Sequence, residues 1–232
     1  MELPPGQRPV AGFPRFGTHF QRRPPRVPDD PAIEIVGAVT EERVVRVADL
    51  LTMPRVRRAA DFHCVAGWSA TDLRWEGVDF ATFYRSVVEP SLAAGADVTH
   101  LVFGGLDGFE SAVTLEDALG DDVLIADHLD GLPLDGDHGA PARLVSPSQY
   151  GYMSTKHLCR IEVRTEPPRL DQLGAASRAA RWGLRSLVFG RHPRARVWAE
   201  ERIPVVPPKL LRPLYRLITP PIAYLSKRGS QR

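Results

Sequence analysis

The stretch DHGAPARLVSPSQYGYMSTKHL, residues 137–158, combines cationic side chains with small hydrogen-bond donors around one short apolar run. The run ARLV predicts a strand, with a glycine-containing turn before it and a polar loop after it. The cationic and donor residues of the stretch are His138, Arg143, Gly151, Ser154, Thr155 and Lys156. An arginine fork, a lysine ammonium and free backbone amides suit a phosphate or a polar heterocycle. A solvated surface loop with scattered charges is the alternative.

Upstream, the stretch DFHCVAGWSATDLRWEGVDF (61–80) contains Cys64, one of two cysteines in the chain. Three roles are open for this thiol: a small core residue, a catalytic nucleophile or a metal ligand. Cys64 closes a short strand and opens into a turn where Gly67 permits unusual backbone angles, so its thiol is predicted to face a pocket. Neighbours in a strand point to opposite faces, so His63 is not expected to meet Cys64. Cys159, inside the strand HLCRIEV, is predicted to be a core residue.

Short apolar runs separated by turn residues predict many short strands and few short helices between residues 31 and 166. The runs AIEIVGAV and RVVRV are predicted to pair, and Asp130-Gly131 predicts a hairpin. The run VDFATFYRSVVEP predicts a helix with Asp79 as its N-cap and Pro90 beyond its end, and ADLLTMP predicts a second short helix. Further strands are predicted at DFHCV, VTHLVFGG, SAVTL, ARLVSP and HLCRIEVRT. With no repeats and no regular βαβ alternation, the predicted fold class is α+β in a single domain.

The sequence predicts three parts: a Pro-, Arg- and Gly-rich N-terminal extended arm (1–30), the domain (31–166) and a basic C-terminal extension (167–232). Residues 1–163 carry 15 Lys and Arg against 24 Asp and Glu, a balance of −9. Residues 164–232 carry 15 against 4, a balance of +11. The extension is predicted either to contact an anionic partner or membrane surface, or to fold back on the acidic body.

Composition excludes several function classes. Two cysteines 95 positions apart do not form a disulfide framework or a multi-cysteine zinc site. The sequence has neither GxxxxGK[ST] nor GxGxxG at a strand–helix junction, so two common phosphate-binding loops are absent. The first residues lack the apolar core of a signal peptide and a twin-arginine signal, and no run reaches about 18 apolar residues. We therefore expect a cytoplasmic protein that binds a small-molecule substrate and no nucleic acid.

The motifs together resemble the sulfite oxidase-like molybdopterin enzymes. CVAGWS followed by W-x-G-V, the string HGAPARLVSPSQYGYMSTKHL and THF in the arm have the order and spacing of that superfamily, from about residue 15 to residue 165. The superfamily includes the catalytic subunit of bacterial methionine sulfoxide reductase. The resemblance implies a sulfite oxidase-type molybdopterin-binding fold and Mo-molybdopterin as the cofactor. It also implies two-electron oxygen-atom transfer on a small, sulfur-containing substrate, with an external redox partner.

The resemblance also assigns roles to individual residues. Cys64 matches the thiolate that ligates molybdenum and is the expected catalytic residue. The matching cofactor-binding positions are His19, Gly105, His138, Arg143, Ser154, Thr155 and Lys156. Lys156 would pair with the phosphate. Gly105 stands where one branch has a threonine, so only its backbone could contact the cofactor.

The chain departs from the family pattern at several positions. Animal and plant sulfite oxidases place arginines soon after the cysteine to hold an anion, whereas the first cation after Cys64 here is Arg74. Sulfite is therefore not the predicted substrate. His157 stands where many relatives have Trp or Ser, and Gly17 stands where the arm commonly has Arg. Two other hypotheses stay open: a cofactor-less binding or scaffold protein with the same fold, and a cysteine-dependent thiol enzyme.

Overall fold

Short strands make up most of the ordered elements of the computed structural model, which describes residues 2–15, 23–168, 193–202, 212–213 and 217. The strands are β1 (Arg8–Val10), β2 (Ala32–Gly37), β3 (Arg43–Arg46), β4 (Arg55–Ala59), β5 (Phe62–His63), β6 (Trp68–Ala70), β7 (Arg74–Asp79), β8 (His100–Gly105), β9 (Glu110–Thr114), β10 (Leu124–Leu129), β11 (Leu132–Pro133), β12 (Arg143–Val145) and β13 (Leu158–Arg164). The helical elements are a 3-10 helix (Val47–Thr52), α1 (Phe80–Phe83), a π-helical turn (Tyr84–Val88), a 3-10 turn (Glu89–Ser91) and α2 (Leu115–Ala118). The predicted mixture of short strands with few short helices is confirmed. None of the described helices is long and apolar enough to cross a membrane.

The strands form three sheets. The first has the order β3-β2-β13-β8-β9, in which β13 runs parallel to β2 and all other pairs are antiparallel. The second has the order β11-β10-β7-β4, with β12 also pairing with β10, and is antiparallel throughout. The third consists of β1, β6 and β5, and here the N-terminal arm contributes β1 as a strand parallel to β6.

Two predicted strand pairings are confirmed. The runs AIEIVGAV and RVVRV form the antiparallel pair β2–β3. Asp130 and Gly131 connect β10 to β11 with φ values of 52° and 82°. Positive φ at both central residues is the geometry of a type I′ turn, which matches the right-handed twist of the flanking strands.

The predicted helix around residues 78–90 is wrong in its details. Asp79 occupies the N-cap position of α1 as predicted, but it is also the last residue of β7, and its carboxylate accepts from Arg58 Nη2 at 2.7 Å without forming a side-chain capping hydrogen bond. Only one turn of α-helix follows before the π-helical turn begins at Tyr84. Pro90 lies inside the final 3-10 turn and not beyond it, a position that tolerates proline because the first N–H of a helix has no partner. The second predicted helix, ADLLTMP, is present as the 3-10 helix.

Strands β1, β4, β6 and β7 were not predicted. The run RVRRA of β4 has three arginines among its five residues, so it lacks the apolar content that marks a strand in sequence. In β7, Gly77 lies against β10 so closely that a Cβ atom there would be 2.0 Å from the carbonyl oxygen of Ile125. The packing of β7 on β10 requires a glycine at this position. In the sequence, however, a glycine makes the segment look less like a strand, so β7 was not predicted.

Two groups of buried apolar residues form the interior. The larger group includes Ile33, Val78, Phe103, Leu144 and Ile161, which come from the first and second sheets and fill the space around α1. The smaller group includes Trp68, Trp75, Leu124, Ala126 and Val145, with Phe13, Phe62 and Cys64 packed at its edge. Cys64 therefore borders the smaller, aromatic group, which is where the candidate site lies.

The described part of the C-terminal extension packs on the domain. Ala195 and Val197 are fully buried in the larger apolar group, and Tyr150 N donates to Ala195 O at 2.8 Å. Arg194 pairs with Asp117 of α2. Residues 193–202 thus support the alternative in which the extension folds back on the acidic body. The apolar and basic stretch 209–228 lies almost wholly outside the described residues.

Candidate functional site

Cys64 follows β5 directly and begins a tight turn. Its carbonyl accepts from Gly67 N at 2.9 Å, and its own N–H donates to Trp68 O at 2.8 Å. Gly67 has a φ of 91°, which confirms that this position needs the conformational freedom of glycine. The turn is short because β5 and β6 pair on either side of it. It therefore fixes the direction of the Cys64 side chain.

The environment of the Cys64 thiol disfavours a free thiolate. Part of the side chain is exposed, but protein atoms surround the sulfur closely enough that burial raises the pKa of the thiol to about 12, although the Ala66 N–H and the charge of Arg202 lower it. A cysteine nucleophile needs a lowered pKa at neutral pH, which this site does not give it. The His63 ring hydrogen-bonds Ser69 Oγ at 2.7 Å and so has a partner of its own. A cation bound to the sulfur would instead stabilise the thiolate.

The N-terminal arm holds the Cys64 turn through a buried amide. Gln7 Nε2 donates to the Cys64 carbonyl at 3.1 Å, and Gln7 Oε1 accepts from Ser69 Oγ at 3.2 Å. Ser69 is also the partner of His63, so one continuous network connects arm, turn and β6. Sequence reasoning missed Gln7 because the arm shows no periodicity that would mark a contact residue.

Arg143 is the largest buried cation of the 137–158 stretch. It is 0% exposed, and its guanidinium donates to the carbonyls of Leu144, His138 and Ser154 at 3.3, 2.9 and 3.1 Å. The guanidinium carbon lies 5.4 Å from the centre of the Phe62 ring, two residues before Cys64. Burial lowers the pKa of Arg143 to about 9. Arg143 thus holds the loop together and adds positive charge behind it.

Lys156 lies beside Arg143. Its Nζ donates to the Asp137 carbonyl at 2.5 Å. Burial lowers the pKa of Lys156 to about 7, with repulsion from Arg143 and Arg15 adding to the effect and Asp137 and Asp107 opposing it. Two cations are therefore held close together in a setting that disfavours their charged forms.

His138 connects the same loop to the arm. One ring nitrogen lies 2.7 Å from Asp135 Oδ1 and the other lies 2.9 Å from the carbonyl oxygen of Phe13. The imidazole stacks on the Phe13 ring with a centroid distance of 4.9 Å. Arg15, two residues on, pairs with Asp137 at 3.0 Å. Both ring nitrogens thus contact protein groups, and Phe13 and Arg15 belong to the site although the sequence did not single them out.

Ser154, Thr155 and Gly105 lie at the base of the loop. Ser154 Oγ accepts from Ser146 N at 3.1 Å. Thr155 is fully buried and its hydroxyl lies 2.7 Å from Ser111 Oγ. Gly105 N donates to a neighbouring carbonyl at 2.9 Å, and a Cβ atom on Gly105 would lie 2.3 Å from the carbonyl oxygen of Lys156. These residues shape the loop from inside, and Gly105 lets Lys156 approach β8.

Two histidines, His157 and His19, differ in what the structure shows of them. His157 is buried with a φ of 55°, and its ring nitrogen lies 2.6 Å from the Ala140 carbonyl, so it fastens the two ends of the loop to each other. His19 lies outside the described residues, and its role stays a prediction.

The donor set fits a cofactor that carries a phosphate and a metal. The Arg143 guanidinium donates to three carbonyl oxygens, and burial together with repulsion from Arg143 lowers the pKa of Lys156. A bound phosphate would supply the negative charge that stabilises both cations. Cys64 offers a soft sulfur ligand at the edge of the same aromatic group.

The chain is similar to several known proteins. Residues 21–170, which are 150 of the 232 residues, match the family model described as the oxidoreductase molybdopterin binding domain. The chain is 28% identical over 134 residues to the uncharacterized oxidoreductase YuiH of Bacillus subtilis, covering 58% of this chain and 65% of that protein. It is 29% identical over 152 residues to the protein-methionine-sulfoxide reductase catalytic subunit MsrP of Gluconobacter oxydans, covering 59% of this chain and 48% of that protein.

A solved structure shows the same fold. The sulfane dehydrogenase SoxCD from Paracoccus pantotrophus aligns with a TM-score of 0.50 and 24% identity, over 59% of this chain and 38% of that chain. The chain spans about half to two thirds of the length of the curated relatives named above. Because the family match covers well over half of the chain and includes Cys64, Arg143 and Lys156, the chain belongs to the oxidoreductase molybdopterin-binding domain family, whose cofactor is Mo-molybdopterin.

Proposed function

We propose that this protein is a molybdenum oxidoreductase that catalyses two-electron oxygen-atom transfer on a small, sulfur-containing substrate, with Cys64 as the metal ligand. The observation that carries the proposal is a single thiol on a tight turn, at the edge of the aromatic group on which the buried Arg143 packs, with Lys156 in the same loop as Arg143. The relatives named as protein-methionine-sulfoxide reductase catalytic subunits support a sulfoxide or a related sulfur compound as substrate.

Each part of the site has a separate task. Cys64 would ligate the metal, and Lys156 would pair with the phosphate of the cofactor. Arg143 would hold the loop that carries Lys156, while Phe13 of the arm and His138 of the loop, stacked on each other, would cover the site. When bound, the cofactor supplies the redox chemistry, and the protein supplies ligation, orientation and a shaped pocket. An external redox partner would have to exchange electrons with the site.

The thiol-enzyme hypothesis is less well supported. Burial raises the pKa of the Cys64 thiol to about 12, and the neighbouring His63 hydrogen-bonds Ser69. A Cys–His hydrolase needs a base that reaches the thiol and a thiolate at working pH. The cofactor-less scaffold hypothesis does not explain why two cations are kept buried, since burial of charge without a compensating anion is costly.

Metal and pterin analysis tests the proposal. Wild type, Cys64→Ser and Cys159→Ser are purified from a host that makes molybdopterin, and molybdenum and pterin are measured per mole of protein. Wild type and Cys159→Ser should contain both, whereas Cys64→Ser should lose activity and retain little molybdenum. Reduction of methionine sulfoxide, other sulfoxides and N-oxides, and oxidation of sulfite, are then assayed with artificial electron donors and acceptors. Protein that contains no molybdenum, or full activity of Cys64→Ser, would overturn the proposal.

A further inference from the structure

Arg202, in the described part of the C-terminal extension, is buried where three segments of the chain meet. The side chain is 2% exposed, and its guanidinium carbon lies 4.9 Å from the centre of the Tyr150 ring. Nη1 donates to the carbonyl of Val65 at 2.5 Å, and Nη2 donates to the carbonyl of Pro5 at 3.3 Å. Arg202 thus joins the Cys64 turn, the N-terminal arm and the C-terminal segment.

The contact with the Cys64 turn is direct. Val65 follows Cys64 and is one of the two residues enclosed by the hydrogen bond from Gly67 N to the Cys64 carbonyl. A donor on the Val65 carbonyl therefore restrains the Val65–Ala66 peptide at the centre of the turn. Gln7 restrains the other side of the turn through the Cys64 carbonyl. The turn is thus held by two side chains that lie at opposite ends of the sequence.

The arm is shaped to fit Arg202. Gly6 has a φ of 73°, and a Cβ atom there would lie 3.0 Å from Arg202 Nη2 and 2.9 Å from Glu200 Oε1. The arm can pass this closely over the guanidinium only because residue 6 has no side chain. Both the arm and the domain therefore bury the Arg202 side chain.

We propose that Arg202 is a positioning residue for the metal ligand, because its guanidinium donates to the turn that carries Cys64 and joins that turn to the N-terminal arm. This inference rests on the proposed function for its meaning, since it concerns the ligand of the metal. Local sequence offers no cation between Cys64 and Arg74, and the structure brings one from the C-terminal extension, 137 positions after Val65.

Arginine suits this position better than lysine. The planar guanidinium donates to two carbonyls in different segments while its face packs on Tyr150. A lysine ammonium keeps the charge but has neither the fork nor the flat face. Arg202→Lys therefore keeps the positive charge but loses the two-carbonyl contact and the packing on Tyr150, so it distinguishes the effect of charge from the effect of geometry.

Arg194 provides a matched control. It lies in the same segment and holds it to the domain, with Nε donating to Asp117 Oδ2 at 2.8 Å. The Arg194 guanidinium forms ion pairs with Glu116 and Asp117 of α2. Arg194→Met weakens the docking of the segment without removing a donor from Val65.

Hydrogen exchange of cofactor-free protein tests the positioning of the turn. Arg202→Met should accelerate exchange of the Cys64 and Gly67 amides by at least about tenfold, as expected when one charge-assisted hydrogen bond no longer opposes local opening. Arg194→Met should leave these two amides close to wild type and accelerate exchange near Tyr150 and Val197. Unchanged exchange in Arg202→Met, or an equal increase in Arg194→Met, would overturn the inference. If Arg202→Met does not fold, Arg202→Gln and Arg202→Lys are judged by the same criterion.

A second readout tests the link to the metal. In protein loaded with the cofactor, Arg202→Met should shift the thiolate-to-molybdenum absorption band and release molybdenum faster on dialysis, with Arg202→Lys between it and wild type. A band and a release rate equal to wild type would make Arg202 a structural residue only and overturn the inference. If wild type binds no molybdenum, the proposed function fails, whereas the exchange experiment still reports on the turn.

Discussion

Replacing Lys156 with methionine tests whether the folded, cofactor-free protein disfavours the charged form of this side chain, an unfavourable effect that a bound anion would offset. Methionine keeps most of the side-chain length and removes the charge together with the hydrogen bond to the Asp137 carbonyl. In the folded protein, burial and repulsion from Arg143 and Arg15 lower the pKa of Lys156 to about 7, from an ordinary value of 10.5. We expect the substitution to stabilise cofactor-free protein relative to wild type at neutral pH, because it removes a charge that folding disfavours.

The magnitude follows from proton linkage. Between pH 7 and pH 10.5 the unfolded chain binds more protons at Lys156 than the folded protein, so the free energy of unfolding rises with pH in this window. Each pKa unit is worth about 1.4 kcal/mol, which sets an upper limit of about 5 kcal/mol over the whole window. Because the side chain is partly exposed, solvent screening reduces the expected rise between pH 7 and pH 9 to about 1–2 kcal/mol. Lys156→Met should lose this contribution.

Urea unfolding of protein made without molybdopterin measures the effect at pH 7, 8 and 9. The control is Arg57→Met, which removes a cation whose side chain is 84% exposed and should keep the wild-type pH dependence. Parallel pH dependences for wild type and Lys156→Met would refute the reasoning.

In loaded protein the same substitution removes a charged donor worth about 1.5–3 kcal/mol, so molybdenum retention after dialysis should fall about ten- to hundredfold.

Three further predictions concern stability. Gly77→Ala should lower the free energy of unfolding by at least about 4 kcal/mol, because the new Cβ would lie 2.0 Å from a backbone oxygen of β10. The variant should therefore be insoluble or show a large fall in Tm. Asp127→Asn should cost about 2–4 kcal/mol in urea unfolding, since Asp127 accepts from Arg55 at 2.6 Å through both oxygens. Burial would raise the pKa of Asp127, but Arg55 and His128 lower it overall, so wild type alone should lose this stabilisation as pH falls through the lowered pKa. Val197→Ala should lower the free energy of unfolding by about 2 kcal/mol, because Val197 is fully buried. The neighbouring Trp198 is 59% exposed, so Trp198→Ala should change this free energy very little. Equal effects of the two substitutions would contradict packing of the extension on the domain.

Sequence alone determined the features that depend on local chemistry. Alternating apolar residues predicted β2, β3, β8 and β13, and the Asp130-Gly131 pair predicted the hairpin between β10 and β11. The glycine after Cys64 predicted a turn that directs the thiol. These succeed because side-chain period and turn geometry are set by neighbours along the chain. The cytoplasmic location, the redox partner and the role of His19 stay predictions.

Local pattern failed where packing between distant segments decided the structure. Strand β7 extends to Asp79 because it pairs with β10, which takes precedence over the capping tendency of an aspartate before a helix. The hydroxyls of Ser154 and Thr155 lie against Ser146 and Ser111 inside the loop, an arrangement that the sequence did not predict, and the contact of these two residues with the cofactor stays a prediction. No sequence period encodes such contacts.

The tertiary structure alone decided how the Cys64 turn is held. Gln7 comes from the arm and Arg202 from the basic extension, and both donate to carbonyls of a turn that is far from them in sequence. An arginine in a basic stretch looks in sequence like any solvated cation. Only folding shows that Arg202 is buried against Val65 and Tyr150, because its burial depends on the arm, the turn and the extension meeting at one point.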